Sequence, residues 1–294
     1  MPSPAITRLD AAKASTVAQT PDSVTIEGTT ATANVATSTN PAQNAAATAA
    51  TSVTANQESV AAAANVIEGA KQLAAFSAVD HHILPHHKVI GVGSGSTVPY
   101  VVDRIVQQGP EANQGRFQSK ELIVKAGLTL GDVDQFPEID VTIDGADEVD
   151  EDLNCIKGGG ACHLREKVLA EAAETWVVVA DYRKNSRVLG TTYKQGVPIE
   201  VAPFAYAKLL QNVHRLGSEK AVLRMAKAKA GPVVTDNGNF VIDAPFDETS
   251  YKNPRSILEH IKLLTGVVEV GLFCGMAKAA YFGNQARILK LILS

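Results

Sequence analysis

The chain has 294 residues, a formal charge of -4 and 45% apolar residues, enough to fill the core of one large domain or two modest ones. A net negative charge without any Lys/Arg cluster offers no field for a phosphate backbone, which argues against a nucleic-acid partner. Three cysteines without a CxxC pair (Cys155, Cys162 and Cys274) argue against a disulfide framework or structural zinc and for a cytoplasmic setting, and no apolar run approaches the roughly 20 residues of a membrane span.

Residues 1–58 are mostly Ala, Thr, Ser and Asn, with no aromatic residue. They bury too little apolar surface to offset the entropy of ordering, so a disordered low-complexity tail is expected. Arg8 and Lys13 against Asp10, Asp22 and Glu27 lack the Arg-rich, acid-poor character of a transit peptide. From Val60, "VAAAANVIEGAKQLAAFSAV" spaces its apolar residues as a helix does, and "KVIGVG" reads as a short strand ending in glycine. A helix over 98–107, the strand "IDVTID" at 139–144, a helix over 161–174 and the buried strand "TWVVVAD" at 175–181 follow.

Apolar strands alternating with helices predict an α/β fold: a Rossmann-like, mostly parallel sheet with helices on both faces. Between the helix ending near Gln107 and "SKELIVKAG", the stretch "GPEANQGR" offers no apolar run where a βαβ chain expects a strand. After "PIEVAP", Asn237-Gly238 inside "GPVVTDNGNFVID" signals an antiparallel hairpin and a smaller α+β unit. The expected organisation is a tail over 1–58, a Rossmann-like catalytic domain over 59–200 and 271–294, and a small α+β subdomain over 201–270.

"GVGSGST", 91–97, follows a strand and opens a helix, so backbone N–H groups with the hydroxyls of Ser94, Ser96 and Thr97 can hold a phosphate. A tight turn with an N-cap is the plainer alternative. The dinucleotide fingerprint fails at Ser96, and no P-loop lysine follows. "DGADEVDED" places Asp144 and Asp147 at the carboxyl end of a strand, where open α/β sheets bind ligands; a solvated acidic turn competes with that reading. Its spacing matches neither the calcium loop nor a His-containing metal triad, and the histidines of "HHILPHH" read as water-facing. In "KGGGACHLREKVLAEAAE", Leu164, Val168 and Ala172 form an apolar stripe, which turns Glu166 away from the core and makes exposure its plain outcome. A lysine, three glycines, a Gly/Ser/Thr loop and several carboxylates at strand ends nevertheless suit proton abstraction beside a carbonyl on a phosphorylated substrate.

Through "GVGSGST", "IDGADEVD", "KGGGACHLREK", "VVVADYRK" and "GPVVTDNGNF", the stretch from about 60 to about 283 resembles type A ribose-5-phosphate isomerase. The resemblance implies interconversion of ribose 5-phosphate and ribulose 5-phosphate in the pentose phosphate pathway, with no metal or organic cofactor. It implies a phosphate-side loop of Ser94, Gly95, Ser96 and Thr97. Around the sugar it implies Asp144, Gly145, Ala146 and Asp147, with Lys157, Gly158, Gly159 and Gly160. Glu166 would be the proton acceptor, Lys184 a further substrate contact, and Asp181 the group orienting it. A homo-oligomer, dimer or tetramer, is expected. The chemistry is consistent: one carboxylate, Glu166, can move a proton from C2 to C1 through an enediolate, and Lys157 with the backbone of Gly158 to Gly160 can stabilise the oxyanion. Asp144 or Asp147 would serve ring opening. The chain departs from the family's pattern at Leu164, where a threonine is usual, and in its ending "QARILKLILS". A coenzyme A transferase of related fold would use its glutamate as a nucleophile, and a non-catalytic sugar-phosphate sensor would carry an added DNA-binding helix pair.

Overall fold

The computed structural model describes residues 41–109, 116–117, 120–284 and 287–292. The chain divides into a unit of Asp10–Asn65 and a larger unit that contains Val66–Ser294. The expected tail lies outside the described residues as far as 40. From Pro41 the backbone is helical, earlier than the expected start at Val60, and the alanine-rich run there has the strongest intrinsic helix propensity.

In chain order the elements are α1 (Pro41–His82), β1 (Val89–Val92), α2 (Val98–Gln107), β2 (Arg116–Phe117), α3 (Lys120–Lys125) and β3 (Ile139–Asp144). Next come β4 (Glu148–Val149), β5 (Cys155–Ile156), α4 (His163–Ala172), β6 (Ala173–Asp181), β7 (Val197–Val201), α5 (Tyr206–Arg215) and β8 (Val222–Leu223). The chain closes with β9 (Phe240–Ala244), α6 (Pro254–Lys262), β10 (Val267–Val270), β11 (Leu272–Phe273), β12 (Ala277–Gly283) and β13 (Ile288–Ile292).

The main sheet runs β13-β12-β6-β3-β1-β2 and is parallel except for β13. Side chains alternate across it. Val177 and Val179 of β6 join a core with Ala74, Ala78 and Val79 of α1 and Val101 and Ile105 of α2. Trp176, Val178 and Ala180 face the opposite core, with Ala170 of α4 and Phe273. A strand buried on both faces must be apolar at every position, which is why "TWVVVAD" shows no polar alternation. The connection that reads as strandless does carry a strand: Arg116 and Phe117 pair in parallel with Val89 and Ile90. Two residues at the sheet's edge need no long apolar run. The C-terminal "ILKLI" forms β13, antiparallel to β12.

A second, antiparallel sheet runs β10-β7-β9-β8 and shares a core with α5 and α6 through Ile199, Val201, Leu209, Val213, Ile257 and Ile261. Its strand β7 begins upstream of the expected boundary at 201. Asn237-Gly238 does turn the chain, closed by the Thr235 N–H on the Asn239 carbonyl (2.8 Å), but residues 233–235 form no strand and β9 pairs instead with β7 and β8. The side chains of Thr235, Asn237 and Asn239 all donate to one oxygen of Glu200 (2.8, 2.9 and 2.9 Å), and that grip competes with a regular hairpin. A third sheet, β11-β5-β4, carries the chain between "DGADEVD" and "KGGG".

Candidate active site

The site forms where β1, β3 and β5 end. Asp144 is the last residue of β3 and has no solvent exposure. Its Oδ1 accepts the N–H groups of Ser94 (3.0 Å) and Gly145 (2.7 Å), and its Oδ2 lies 2.8 Å from Lys157 Nζ. A Cβ at Gly93 would collide with the Asp144 carboxyl, so that glycine is required for the carboxylate to reach the β1 loop. Lys157, 2% exposed, also donates to the Gly145 carbonyl (2.5 Å) and lies 3.4 Å from Glu166 Oε2.

Glu166 corrects the helical-stripe expectation. Its side chain is buried, 6% exposed, on the face of α4 that also buries His163, Leu169 and Ala170, while Val168 of the apolar stripe is exposed. Polar partners decide the orientation: the Ser94 hydroxyl donates to Glu166 Oε1 (2.6 Å), and Cys162 Sγ lies 3.0 Å from the same hydroxyl. A paired carboxylate can be buried where an unpaired one could not.

One ammonium thus faces two enclosed carboxylates. Burial pushes Asp144 up to about 7, with Lys157 pulling against it and Glu166 adding to it. For Glu166, burial also favours the neutral form, but Lys157, Ser94 and Cys162 together outweigh it and hold its pKa below the usual value. Burial works against the Lys157 charge as well, and the two carboxylates override it, raising its pKa well above that of an ordinary lysine. The environments of the two acids are therefore split: Glu166 stays ionised while Asp144 is the one that takes up a proton.

Asp147, half-buried, accepts the Gly159 N–H on Oδ2 (2.7 Å), and burial raises its pKa against the pull of Gly159, Lys157 and Lys184. The Gly159 N–H of the expected donor row is thus already engaged. Gly158 has φ +104 and no room for a Cβ beside His163, so only glycine serves there. In the 94–97 loop Gly95 (φ +102) and Ser96 are exposed and Thr97 is buried. Ser94 is turned to Glu166 instead of outward, and Thr97 makes no side-chain cap bond. Ala146 is half-buried and packs on the core around Trp176. Lys184 is half-buried, close enough to act electrostatically on Asp147 and Asp181. Asp181 does not hold it by a hydrogen bond; its carboxylate accepts from Arg183 Nε and Nη2 (2.6 and 3.0 Å).

Two participants escaped the sequence reading. In sequence Cys162 marks only the redox setting, and Arg224, whose Nη1 donates to the carbonyls of Gly158 and Gly159 (2.8 and 3.1 Å), stands in no motif. Nothing short of the fold brings residue 224 to residue 158. Among the described residues, no group of three or more His, Cys, Asp or Glu is placed to hold a metal ion, and no helix is long and apolar enough to cross a membrane.

A family model described as "Ribose 5-phosphate isomerase A (phosphoriboisomerase A)" matches residues 116–287. A ribose-5-phosphate isomerase of Mycosarcoma maydis is 71% identical over 225 residues, spanning 74% of this chain and 79% of its own. Among solved structures, a D-ribose-5-phosphate isomerase in complex with phospho-erythronic acid superposes with a TM-score of 0.71 at 35% identity, covering 77% of this chain and 99% of its own. The ribose 5-phosphate isomerase A of Methanocaldococcus jannaschii gives 0.68 at 33% identity, covering 76% and 98%.

Proposed function

Because the chain belongs to the ribose 5-phosphate isomerase A family, we propose that Glu166 is the base of its reaction, with Lys157 as its electrostatic partner. The chain interconverts ribose 5-phosphate and ribulose 5-phosphate, a step of the pentose phosphate pathway. The observation that carries the assignment is Lys157 set between Asp144 and Glu166, with the Ser94 hydroxyl on the glutamate. Glu166, ionised, takes the proton from C2 of the open-chain aldose and returns it at C1. The oxyanion of the enediolate forms beside Lys157, whose positive charge offsets it where little water competes. Asp147, which keeps one oxygen outside its bond to Gly159, is the better placed of the two aspartates for ring opening and for holding hydroxyls; Asp144 is wholly enclosed and tunes the cluster's charge.

Gly95, Ser96 and Thr97 at the start of α2 take the phosphate, and Lys184, near Asp147, is a further substrate contact; Ser94 serves Glu166 instead. Gly145, Ala146 and the 158–160 backbone line the sugar. Phospho-erythronic acid, bound by one structural relative, is expected in the same cleft, since its planar carboxylate resembles the enediolate. The parallel sheet then carries the chemistry and the antiparallel unit around 201–270 supports it. No metal enters this scheme, so turnover should withstand exhaustive EDTA; restoration of lost activity by a divalent ion would refute that part. The cytoplasm as setting is supported by three free thiols, Cys155, Cys162 and Cys274. A homo-oligomer is supported by Ile288, Leu289 and Ile292, exposed on the edge strand β13, and light scattering on the purified chain tests it. The assignment of the base is tested by the turnover of Glu166→Gln.

A further inference from the structure

Three successive glycines leave the 158–160 backbone with no side chain to fix its peptide planes, and glycine is the residue with the most freedom to turn them. The Ala161 N–H holds the Gly158 carbonyl from within the turn (3.0 Å), and a further restraint comes from the other sheet. Arg224, just past β8, is 9% exposed. Its Nε and Nη2 bind the two oxygens of Asp243 on β9 (2.9 and 2.5 Å), and Asp243 is itself held by Gln195 Nε2 (2.7 Å). The remaining guanidinium nitrogen, Nη1, donates to the carbonyls of Gly158 and Gly159 (2.8 and 3.1 Å).

The peptide joining Gly158 to Gly159 is therefore pinned at both ends, its carbonyl on Arg224 and its N–H on Asp147 (2.7 Å). The next peptide is pinned at its carbonyl. In a trans peptide the C=O and N–H point in opposite directions, and none of the described peptides is cis. The Gly160 N–H is thus turned away from Arg224, toward the side on which Asp147 stands. Resting on the active-site reading above, we infer that Arg224, anchored by Asp243, is a positioning residue that stops the glycine backbone from flipping and presents the Gly160 N–H to the enediolate oxyanion. A lysine cannot replace it. The planar fork binds a carboxylate with one edge and two carbonyls with the remaining nitrogen, whereas an ammonium is a single point on a flexible stem.

Loss of one oxyanion donor lowers kcat on the order of 10²- to 10³-fold, and a backbone freed to flip should approach the lower end. Arg224→Lys is therefore expected to lower kcat about a hundredfold while KM for ribose 5-phosphate moves less than about threefold. Phospho-erythronic acid carries a planar carboxylate in place of the enediolate. Its Kd should rise tenfold or more, roughly in step with kcat, while that of ribose 5-phosphate stays within about threefold, because only the intermediate-like group meets the donor. Asp243→Asn keeps the anchor's shape and should show the same split to a smaller degree, which keeps the question open to test if the lysine variant does not fold. Equal weakening of substrate and mimic, a change confined to KM, or unaltered kcat in the folded variants overturns the inference. Glu166→Gln in the same assays separates the two readings: if it retains turnover the site reading fails, whereas an inactive Glu166→Gln beside fully active Arg224 and Asp243 variants removes only the role of Arg224.

Discussion

Glu148 and Glu166 are both buried glutamates, yet the structure treats them in opposite ways. Glu148 accepts four backbone N–H groups, those of Gly190, Thr191, Thr192 and Tyr193 (2.8, 2.9, 2.7 and 3.2 Å). Its donors are part of the chain path and cannot move without unravelling the loop. Glu166 is held by side chains, the Ser94 hydroxyl and the Lys157 ammonium, which can rotate and exchange partners. A carboxylate locked by backbone is a structural rivet; one held by side chains beside a cation can accept and return a proton. The burial is alike, so it is the kind of donor that separates the two.

The largest effect expected of this contrast is in Glu166→Gln, which keeps the shape and removes the base. Turnover should fall by a factor on the order of 10² to 10⁴, with the Kd of ribose 5-phosphate and the thermal midpoint little changed. A variant keeping more than a tenth of the parent's kcat would break the assignment.

Lys157→Met removes the cation from between two buried carboxylates. Breaking such a pair costs roughly 3 to 5 kcal/mol of stability, and turnover should also be lost with the oxyanion's partner. Denaturant titration together with a steady-state assay reads both. Wild-type stability would mean that the cluster's charges are not coupled as the distances suggest.

Glu148→Gln tests the other half of the comparison. Losing charged acceptance of the loop amides should cost roughly 1.5 to 3 kcal/mol while kcat stays near the parent's. A large fall in kcat at unchanged stability would place Glu148 in the chemistry and erase the distinction.

The smallest effect concerns pH. Burial raises Asp144 from 3.8 to about 7, so in that window the folded state keeps a proton that the unfolded chain releases. The stabilisation from this group is complete below 3.8 and lost as pH rises through 7. Asparagine has no proton to lose. The thermal midpoint of Asp144→Asn, measured relative to the parent, should therefore climb as pH rises across the window, and a flat difference would show that Asp144 is ionised throughout.

The motif "DGADEVD" shows how far residue order carries and where it stops. It contains four acids, and the sequence could place Asp144 and Asp147 at a strand end beside a ligand. It could not tell that Glu148 would face the 190–193 loop, or that Asp150 would close its own turn by accepting the N–H groups of Asp152 and Asn154 (3.0 and 2.8 Å). Neighbours in a strand or turn point different ways, and what each one meets comes from distant segments.

By itself the sequence determined the strands β3 and β6, the helix α2, the mixed α/β class and the motifs that bear the chemistry. Local periodicity and strand-end position fix those features without long-range information. Tertiary structure alone decided that Glu166 turns inward, because Ser94, from another loop, and Lys157 outbid the apolar stripe of its own helix. It alone decided that two residues at 116–117 suffice as an edge strand, and that Arg224 and Asp243 of one sheet fix the glycine loop of another. Those outcomes depend on which groups become neighbours after the chain has closed, and the energy of burying a charge is set by those neighbours rather than by spacing along the chain.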